Sequence, residues 1–457
     1  MGDRPQLSLV GSVSLGTGVM VGAGIFALIG QVAELAGPLI PHAFLAGAVV
    51  TALSSYSYAK YSAANPTSGG IAMLLRAAYG PGVVTASFSL FMYVSMVIAQ
   101  SLLARTFGTY GLRPFDLQGY AWLVPALGVA VIALAAVVNV RGVRLVEGSA
   151  AVSAAIKVFG LVALAVAGLL AAGTSSLYEV VTGGDGGAGG EAILGESGWP
   201  GVIGATTLCV LAYKGFTTIT NQGEDLRDAA KLLPRSIYLS IAVCAVLYLL
   251  LTAAVTASLD VPEIVEARDY AVAAAAEPLF GSWGVNLTIL VAVVATVSGL
   301  LASIYAVSRL YEMLHRMGHV PMLPLRLRRQ PVLITAGLAM LTTVSFDLTQ
   351  MASMGALLYL TMDIAIQWGV LRRLASDIGA RRWIPAVTIV LDVVVLGAFA
   401  LVKFRQDPAI IAIAGAIGAL IFAAQAWNAR RQGAAGDGHD GGAEHHDADH
   451  EPEHERA

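Results

Sequence analysis

Charge is the scarcest feature of this sequence. Only 12% of its 457 residues are charged, whereas soluble domains contain roughly 25%, and 57% of its residues are hydrophobic. Cysteine is also scarce, since Cys209 and Cys244 are the only two and both lie inside apolar segments. The sequence therefore has no disulfide framework and no cysteine spacing for a metal. Water cannot be the solvent for most of this chain.

Long apolar stretches fill the sequence between short polar interruptions. A membrane-spanning helix needs about 20 apolar residues, and these stretches are too long and too continuous for the alternating strands of a barrel. Because the backbone must satisfy its own hydrogen bonds in lipid, helices follow. We expect an all-α membrane protein of about twelve transmembrane helices, at 8–30, 42–64, 83–106, 120–140, 148–171, 200–222, 236–258, 284–310, 330–348, 351–370, 383–403 and 408–428.

Lysine and arginine are distributed unevenly between the two sets of loops. With the N-terminus inside, the cytoplasmic side holds roughly four times as many of these residues as the outer side. The few that fall outside are Arg105, Arg113, Arg268, Lys403 and Arg405. The pattern predicts a multi-pass protein of the cell membrane with both termini in the cytoplasm.

The last residues differ in composition from the rest of the chain. Residues 431–457 are rich in Gly, Asp, Glu and His and have almost no apolar side chains, which predicts a disordered cytoplasmic tail. A solvated tail is the simpler interpretation of its histidines, and a metal site is the alternative; they are His439, His445, His446, His450 and His454. We expect a transmembrane domain at 8–430, with a core at 8–370 and extra helices at 383–428.

Glycine is concentrated in the first span, in the stretch GTGVMVGAGIF. Each glycine weakens a helix by about 1 kcal/mol relative to alanine, so a break near Gly22, Ala23 and Gly24 is expected. Backbone N–H groups freed at such a break would suit a carboxylate. The alternative is close helix packing through the spacing of Gly18 and Gly22.

The sixth span has an interruption at the corresponding position, LAYKGFTTITNQGED at 211–225. Matching interruptions in spans one and six are typical of an inverted five-plus-five repeat with broken helices 1 and 6. Carbonyl groups freed in both breaks could accept hydrogen bonds from an ammonium group. The two spans together would then bind a zwitterion.

These motifs resemble the amino acid–polyamine–organocation (APC) superfamily of permeases, and in particular its proton-coupled branch. The resemblance is carried by GAGIF at 22–26, by AYKGF at 212–216 with Glu224 and the basic stretch after it, and by SRLYEMLHRMGHVP at 308–321. It covers roughly residues 8–430. It implies a leucine-transporter-like core of ten helices with two helices outside it.

The resemblance also implies a substrate site. Gly22, Ala23 and Gly24 would bind the substrate carboxylate, and the carbonyls of helices one and six would bind its amine. Many relatives place an aromatic lid where this chain has Leu211, and Tyr213 or Phe216 could replace it. The implied substrate-binding residues are Val19, Met20, Gly22, Ala23, Gly24, Ile25, Leu211, Ala212, Tyr213, Gly215 and Phe216.

Lys157 lies about ten residues into the fifth span, near the middle of the bilayer at 1.5 Å per residue. Such a charge costs about 2.5–3.5 kcal/mol to insert and usually belongs to an ion pathway. The resemblance implies that this lysine takes the place of a sodium ion between helices one, five and eight, with Ser298 and Ser303 as neighbours. The alternative is a lysine that snorkels to the interface.

Other polar residues of the spans are candidates for the transport pathway, namely Tyr93, Lys214 and Glu224. For Tyr93, a packing role is an equal alternative. For Lys214, the alternative is a side chain that snorkels to the interface. For Glu224, the alternative is an inner gate that it forms together with Asp225. For Asp363 an ion pair with Arg372 or Arg373 is expected.

The sequence has no nucleotide-binding motif, which favours secondary active transport. We therefore expect import of an amino acid, coupled to protons through Lys157. A proton-independent exchanger or facilitator of amino acids or polyamines, and a non-transporting sensor on the same fold, are the alternatives. No H-E-x-x-H or G-x-S-x-G motif occurs, so an enzyme is not expected. The expected partners are the solute, the proton and the lipid bilayer, without cofactor, metal or nucleic acid; solute identity and oligomeric state are not specified.

Overall fold

A computed structural model of the protein describes residues 7–67, 69–115, 117, 120–141, 152–170, 198–322 and 329–437. Within these residues every named element is helical, and the one strand-type pairing is an isolated bridge between Leu7 and Leu226. The all-α prediction is therefore confirmed for the described part of the chain. The histidines of the predicted tail lie outside it.

Fourteen α-helices make up the described part of the chain. They are α1 (Leu9–Ala36), α2 (Ile40–Ala64), α3 (Gly70–Tyr79), α4 (Val83–Leu112), α5 (Leu123–Arg141), α6 (Val152–Leu170), α7 (Gly198–Tyr213), α8 (Ala229–Ser258), α9 (Val261–Ala267), α10 (Ala271–Arg316), α11 (Gln330–Ser345), α12 (Leu348–Gly369), α13 (Trp383–Gln406) and α14 (Pro408–Asp437).

Ten segments of the described chain are long and apolar enough to cross a membrane. One of them, Gly24–Ala64, contains the end of α1 and all of α2, joined by the 3₁₀ turn Gly37–Leu39. Counting these helices separately and adding α11, which has 16 residues, gives the twelve helices of the predicted span list. The chain is thus a multi-pass helical membrane protein.

The first helix is continuous. α1 stays helical from Leu9 to Ala36, so the predicted break at Gly22, Ala23 and Gly24 is wrong for this structure. A Cβ atom at Gly22 would lie 2.9 Å from the Leu103 side chain and 3.1 Å from the carbonyl oxygen of Ala295. The glycine therefore serves close packing of α1 against α4 and α10, which is the alternative that the spacing of small residues offered.

The sixth span changes its helical form at Lys214. α7 ends at Tyr213, and Lys214–Gln222 continue as a 3₁₀ helix inside the predicted interruption. Three threonine hydroxyls of this segment donate to carbonyls three residues earlier, which suits the 3₁₀ spacing: Thr217 to Lys214, Thr218 to Gly215 and Thr220 to Thr217. A long 3₁₀ stretch within a helix often marks a functional hinge.

Two helices begin earlier than the apolar pattern predicted. α8 begins at Ala229 rather than 236, because Lys231 and Arg235 interrupt the apolar pattern in its first turns. α10 begins at Ala271 rather than 284 and is kinked at Gly281, whose φ of 59° suits glycine. At the other end of the chain, α14 continues to Asp437, beyond the predicted start of the tail at 431.

α1 lies in the centre of the bundle. It packs against α7, α8 and α10, while α4 packs against α10 and α12. α13 packs against α7 and α12, and α14 lies against α4, α12 and α13. The two spans that carry most of the predicted site, α1 and α7, are therefore enclosed by other helices.

Candidate functional site

Two of the predicted substrate-binding segments meet where α1 crosses the sixth span. A Cβ atom at Gly24 would lie 2.9 Å from the carbonyl oxygen of Ala212, and one at Gly215 would lie 2.7 Å from the backbone nitrogen of Met20. These glycines therefore allow the two backbones to approach more closely than any larger residue would permit. The structure brings together Met20, Gly24, Ala212 and Gly215.

Tyr248 of α8 joins this crossing, and sequence reasoning missed it. Its hydroxyl donates to the carbonyl oxygen of Met20 at 2.7 Å and lies 3.5 Å from that of Ala212. The side chain is fully buried. The resemblance assigns the carbonyls of Met20 and Ala212 to the substrate amine, and both carbonyl oxygens face the hydroxyl of Tyr248. The only sign of Tyr248 in the sequence is a tyrosine within a long apolar run. Its partners lie on other helices, so the sequence alone does not show which groups it contacts.

Lys157 is buried, with 1% of its surface exposed, so the snorkelling alternative is wrong. Its Nζ atom donates to the carbonyl oxygen of Gly18 in α1 at 2.9 Å. A Cβ atom on Gly299 of α10 would lie 3.5 Å from that same oxygen. The lysine of α6 therefore meets α1 and α10 at one point, which is the meeting of helices that the resemblance implied.

Ser298 does not join Lys157. Its hydroxyl donates to carbonyls of its own helix, 2.6 Å to Val294 and 3.3 Å to Ala295. This is the usual back-bonding of a helical serine. The structure thus shows Ser298 in a local role.

Lys214 is also buried, at the start of the 3₁₀ segment. Its Nζ atom lies 2.5 Å from the hydroxyl oxygen of Ser95 in α4 and 5.1 Å from the ring centre of Tyr359 in α12. The side chain consequently points toward α4 and α12 and does not snorkel. A second buried cation lies beside the interruption of the sixth span.

The aromatic candidates for a lid pack into the helix bundle. Phe216 meets the ring of Tyr58 edge-on at 5.3 Å, and Tyr213 lies 5.0 Å from the ring of Tyr248. Leu211 is buried, as is Ile25 of α1, whereas Val19 is half-buried. These residues line the α1 and α7 crossing from several sides, and the role of a lid stays a prediction.

Tyr93 lies away from this crossing. Its hydroxyl is 3.1 Å from that of Thr335 in α11, and its ring packs 5.4 Å from the ring of Tyr311. Tyr93 thus occupies a packing position, which is the alternative to a role in the transport pathway. Glu224 is exposed just after the 3₁₀ segment.

Polar contacts close the bundle at the end where α1 begins. The hydroxyl of Ser12 donates to Gln222 at 2.6 Å inside the protein, and Arg309 of α10 forms an ion pair of 3.4 Å with Asp225. At the opposite end of α1, Arg268 pairs with Glu34 at 3.0 Å. This second pair borders a cavity of about 340 Å³. An ion pair thus lies at each end of the central helix, and the pair at its far end includes Glu34 of α1 itself.

The predicted ion pair of Asp363 with Arg372 or Arg373 is wrong. Arg373 donates to the carbonyl of Ala78, and Arg372 lies over the ring of Trp368. Because these arginines follow α12 at its end, they reach the surface, while Asp363 faces the bundle interior and is 1% exposed. Its partners are side chains of α2 and α12, described below.

The chain is similar to known transporters along most of its length. A family model described as amino acid permease matches residues 7–431. The inner membrane transport protein YbaT of Escherichia coli is 30% identical over 408 residues, covering 87% of this chain and 90% of the relative. The vacuolar cationic amino acid transporter 4 of Arabidopsis thaliana is 25% identical, covering 81% of this chain and 64% of the relative.

The bundle of apolar helices and these similarities define a membrane transporter. The chain belongs to the amino acid permease family of the APC superfamily. The resemblance of its motifs to that superfamily is therefore confirmed. These similarities point to transport and not to enzyme chemistry.

Proposed function

We propose that this chain is a secondary active transporter that imports an amino acid and couples that movement to protons through Lys157. The observation that carries the proposal is the 2.9 Å hydrogen bond from the buried Nζ atom of Lys157 to the Gly18 carbonyl oxygen. It joins α6 to the central helix. The cytoplasmic location of both termini and the inward direction of transport are parts of the proposal.

A buried lysine at this point suits a proton site. Charged side chains inside membrane spans are costly and commonly mark ion pathways or proton relays. The ammonium form attracts the Gly18 carbonyl more strongly than the neutral amine does, since hydrogen bonds from ionised donors are the stronger ones. Gain or loss of one proton would therefore tighten or loosen the contact between α6 and α1.

The crossing of α1 and α7 suits the amine of the solute. The carbonyls of Met20 and Ala212 already face the Tyr248 hydroxyl, and an ammonium group could join or displace that hydroxyl. The name of one relative includes cationic amino acids, which extends the solute panel to lysine and arginine. The proposed solute class is an α-amino acid.

The two ion pairs suit alternating access. In the proposed orientation, Arg268 and Glu34 close the outer end, and Arg309 and Asp225 close the cytoplasmic end. Exposed pairs of this kind contribute about 0–1 kcal/mol each. They are therefore weak enough to open and close during a transport cycle.

Uptake by proteoliposomes tests the function. Purified protein is reconstituted, and uptake of alanine, leucine, lysine and arginine is measured with and without an inwardly directed proton gradient. The proposal expects concentrative uptake of at least one amino acid that needs the gradient. Uptake that ignores the gradient but requires internal amino acid would establish the exchanger instead, and binding without any transport would establish a sensor.

A further inference from the structure

Two buried carboxyl groups lie outside the site described above. Asp363 of α12 and Asp392 of α13 are 1% and 0% exposed. Their carboxyl groups are within hydrogen-bonding reach of each other. Two carboxylates so close together in a buried setting cannot both remain ionised, because like charges repel and neither is hydrated.

The surroundings of the two carboxyl groups are unequal. Asp363 accepts hydrogen bonds from the Tyr58 hydroxyl, from the Ser54 hydroxyl at 2.7 Å and from the Gln367 amide at 3.5 Å. By contrast, no donor in the described protein reaches either oxygen of Asp392. Donors stabilise the ionised form of a carboxyl group, whereas an unpartnered buried carboxylate is strongly unfavourable.

We infer that Asp363 and Asp392 form a second proton-binding site, in which Asp392 carries the proton and donates it in a hydrogen bond to the Asp363 carboxylate. The proton supplies the donor that Asp392 otherwise lacks. The pair then bears one negative charge. This site lies between α2, α12 and α13.

Polar groups of α2 and α12 face the pair. They are Ser54 and Tyr58 from α2 and Tyr359 and Gln367 from α12, and Lys214 of the 3₁₀ segment reaches the ring of Tyr359. The ion pairs between described residues include neither aspartate. Lys403 is eleven residues from Asp392 on α13, about 16 Å along the helix.

The position of the pair links protonation to the hinge of the sixth span. Tyr58, which donates to Asp363, packs edge-on against Phe216 of the 3₁₀ segment, and Lys214 of the same segment lies over the ring of Tyr359. One shared proton leaves a single negative charge on the pair, which the hydrogen bond from Tyr58 stabilises. A second proton would remove that charge and weaken the hydrogen bond from Tyr58, which packs against the 3₁₀ segment.

Infrared spectroscopy of the purified full-length protein tests the shared proton without any solute, so its failure is separate from failure of the proposed transport. We expect a protonated-carboxyl carbonyl band that persists at pH 8 and shifts in heavy water. Asp392→Asn should remove this band. Asp377→Asn, which alters an exposed carboxylate after α12, should leave it unchanged.

Asp363→Asn distinguishes the two partners. It removes the charged acceptor but keeps Asp392 buried, so the band should remain and shift in frequency. Thermal unfolding gives an independent measurement. Asp392→Asn keeps a donor toward Asp363, so its unfolding temperature should be close to that of the wild type. The unfolding temperature of Asp363→Asn should be lower. Absence of the band from the wild-type protein at pH 8, or its persistence in Asp392→Asn, would overturn the inference.

Discussion

The hydroxyl of Tyr248 donates a 2.7 Å hydrogen bond to the carbonyl oxygen of Met20, and so ties α8 to the central helix beside the carbonyl of Ala212. The hydroxyl hydrogen of Tyr248 therefore lies where the carbonyl oxygens of Met20 in α1 and Ala212 in α7 come together. The same acceptors are those proposed for the solute amine. Packing and recognition consequently depend on one buried side chain.

Tyr248→Phe should weaken both stability and solute affinity. Loss of one buried hydrogen bond costs about 0.5–1.5 kcal/mol, and the KM for uptake should rise because the carbonyls lose their fixed arrangement. Tyr93→Phe is the matched control, since it removes a 3.1 Å contact with Thr335 away from the crossing. The control should lower the unfolding temperature without changing KM. Equal KM values for Tyr248→Phe and the wild type would contradict this role.

Gly24→Ala should destabilise the protein and abolish most uptake. The added Cβ would lie 2.6 Å from the Tyr248 hydroxyl oxygen and 2.9 Å from the Ala212 carbonyl oxygen. Overpacking of this kind costs about 1–3 kcal/mol. Thermal unfolding of the purified variant measures the effect.

Gly397→Ala is the control for this substitution. Gly397 lies in α13, and its added Cβ would have no neighbour within 4 Å. Alanine should stabilise that helix by about 0.5–1 kcal/mol. If the two substitutions had the same sign of effect, close packing of α1 would not explain its glycines.

Asp225→Asn should favour opening at the cytoplasmic end. Its 3.4 Å ion pair with Arg309 contributes at most about 1 kcal/mol, which corresponds to roughly fivefold in an opening equilibrium. Ser12→Cys reports opening, because Ser12 is buried beside Gln222 and both natural cysteines are buried. Thiol labelling of this cysteine should be faster when Asp225→Asn is also present.

Asp228→Asn in the same Ser12→Cys background is the matched control. It removes an exposed ion pair with Lys231, three residues away in the chain, that does not reach α10. Labelling should match that of Ser12→Cys alone. An equal acceleration by both substitutions would indicate a general electrostatic effect instead of a gate.

Apolar length predicted the starts of spans well where glycine, proline or charged residues precede them. The start of α4 at Val83 and that of α11 at Gln330 agree with the predicted 83 and 330. α3 and α9 were missed because they are too short to cross a membrane. Sequence periodicity reports burial in lipid, so helices at the membrane surface leave a weaker signal.

The interior of the site was harder to predict. Glycine density in α1 suits both a break and close packing, and only the neighbours Leu103 and Ala212 decide between them. Lys157 could be found because an isolated charge in an apolar span is conspicuous. Asp392 offered the same signal, but its partner Asp363 lies on another helix, and one sequence does not pair residues across helices.

The most direct test of the account is proton movement driven by the amino acid. Proteoliposomes that contain a pH-sensitive dye receive the amino acid found in the uptake panel, and the wild type should acidify the lumen. Lys157→Met keeps the apolar volume of the side chain but cannot bind a proton, so acidification should disappear, whereas the exposed-residue control Lys231→Ala should behave as the wild type. Acidification by Lys157→Met at the wild-type rate would contradict proton coupling through Lys157.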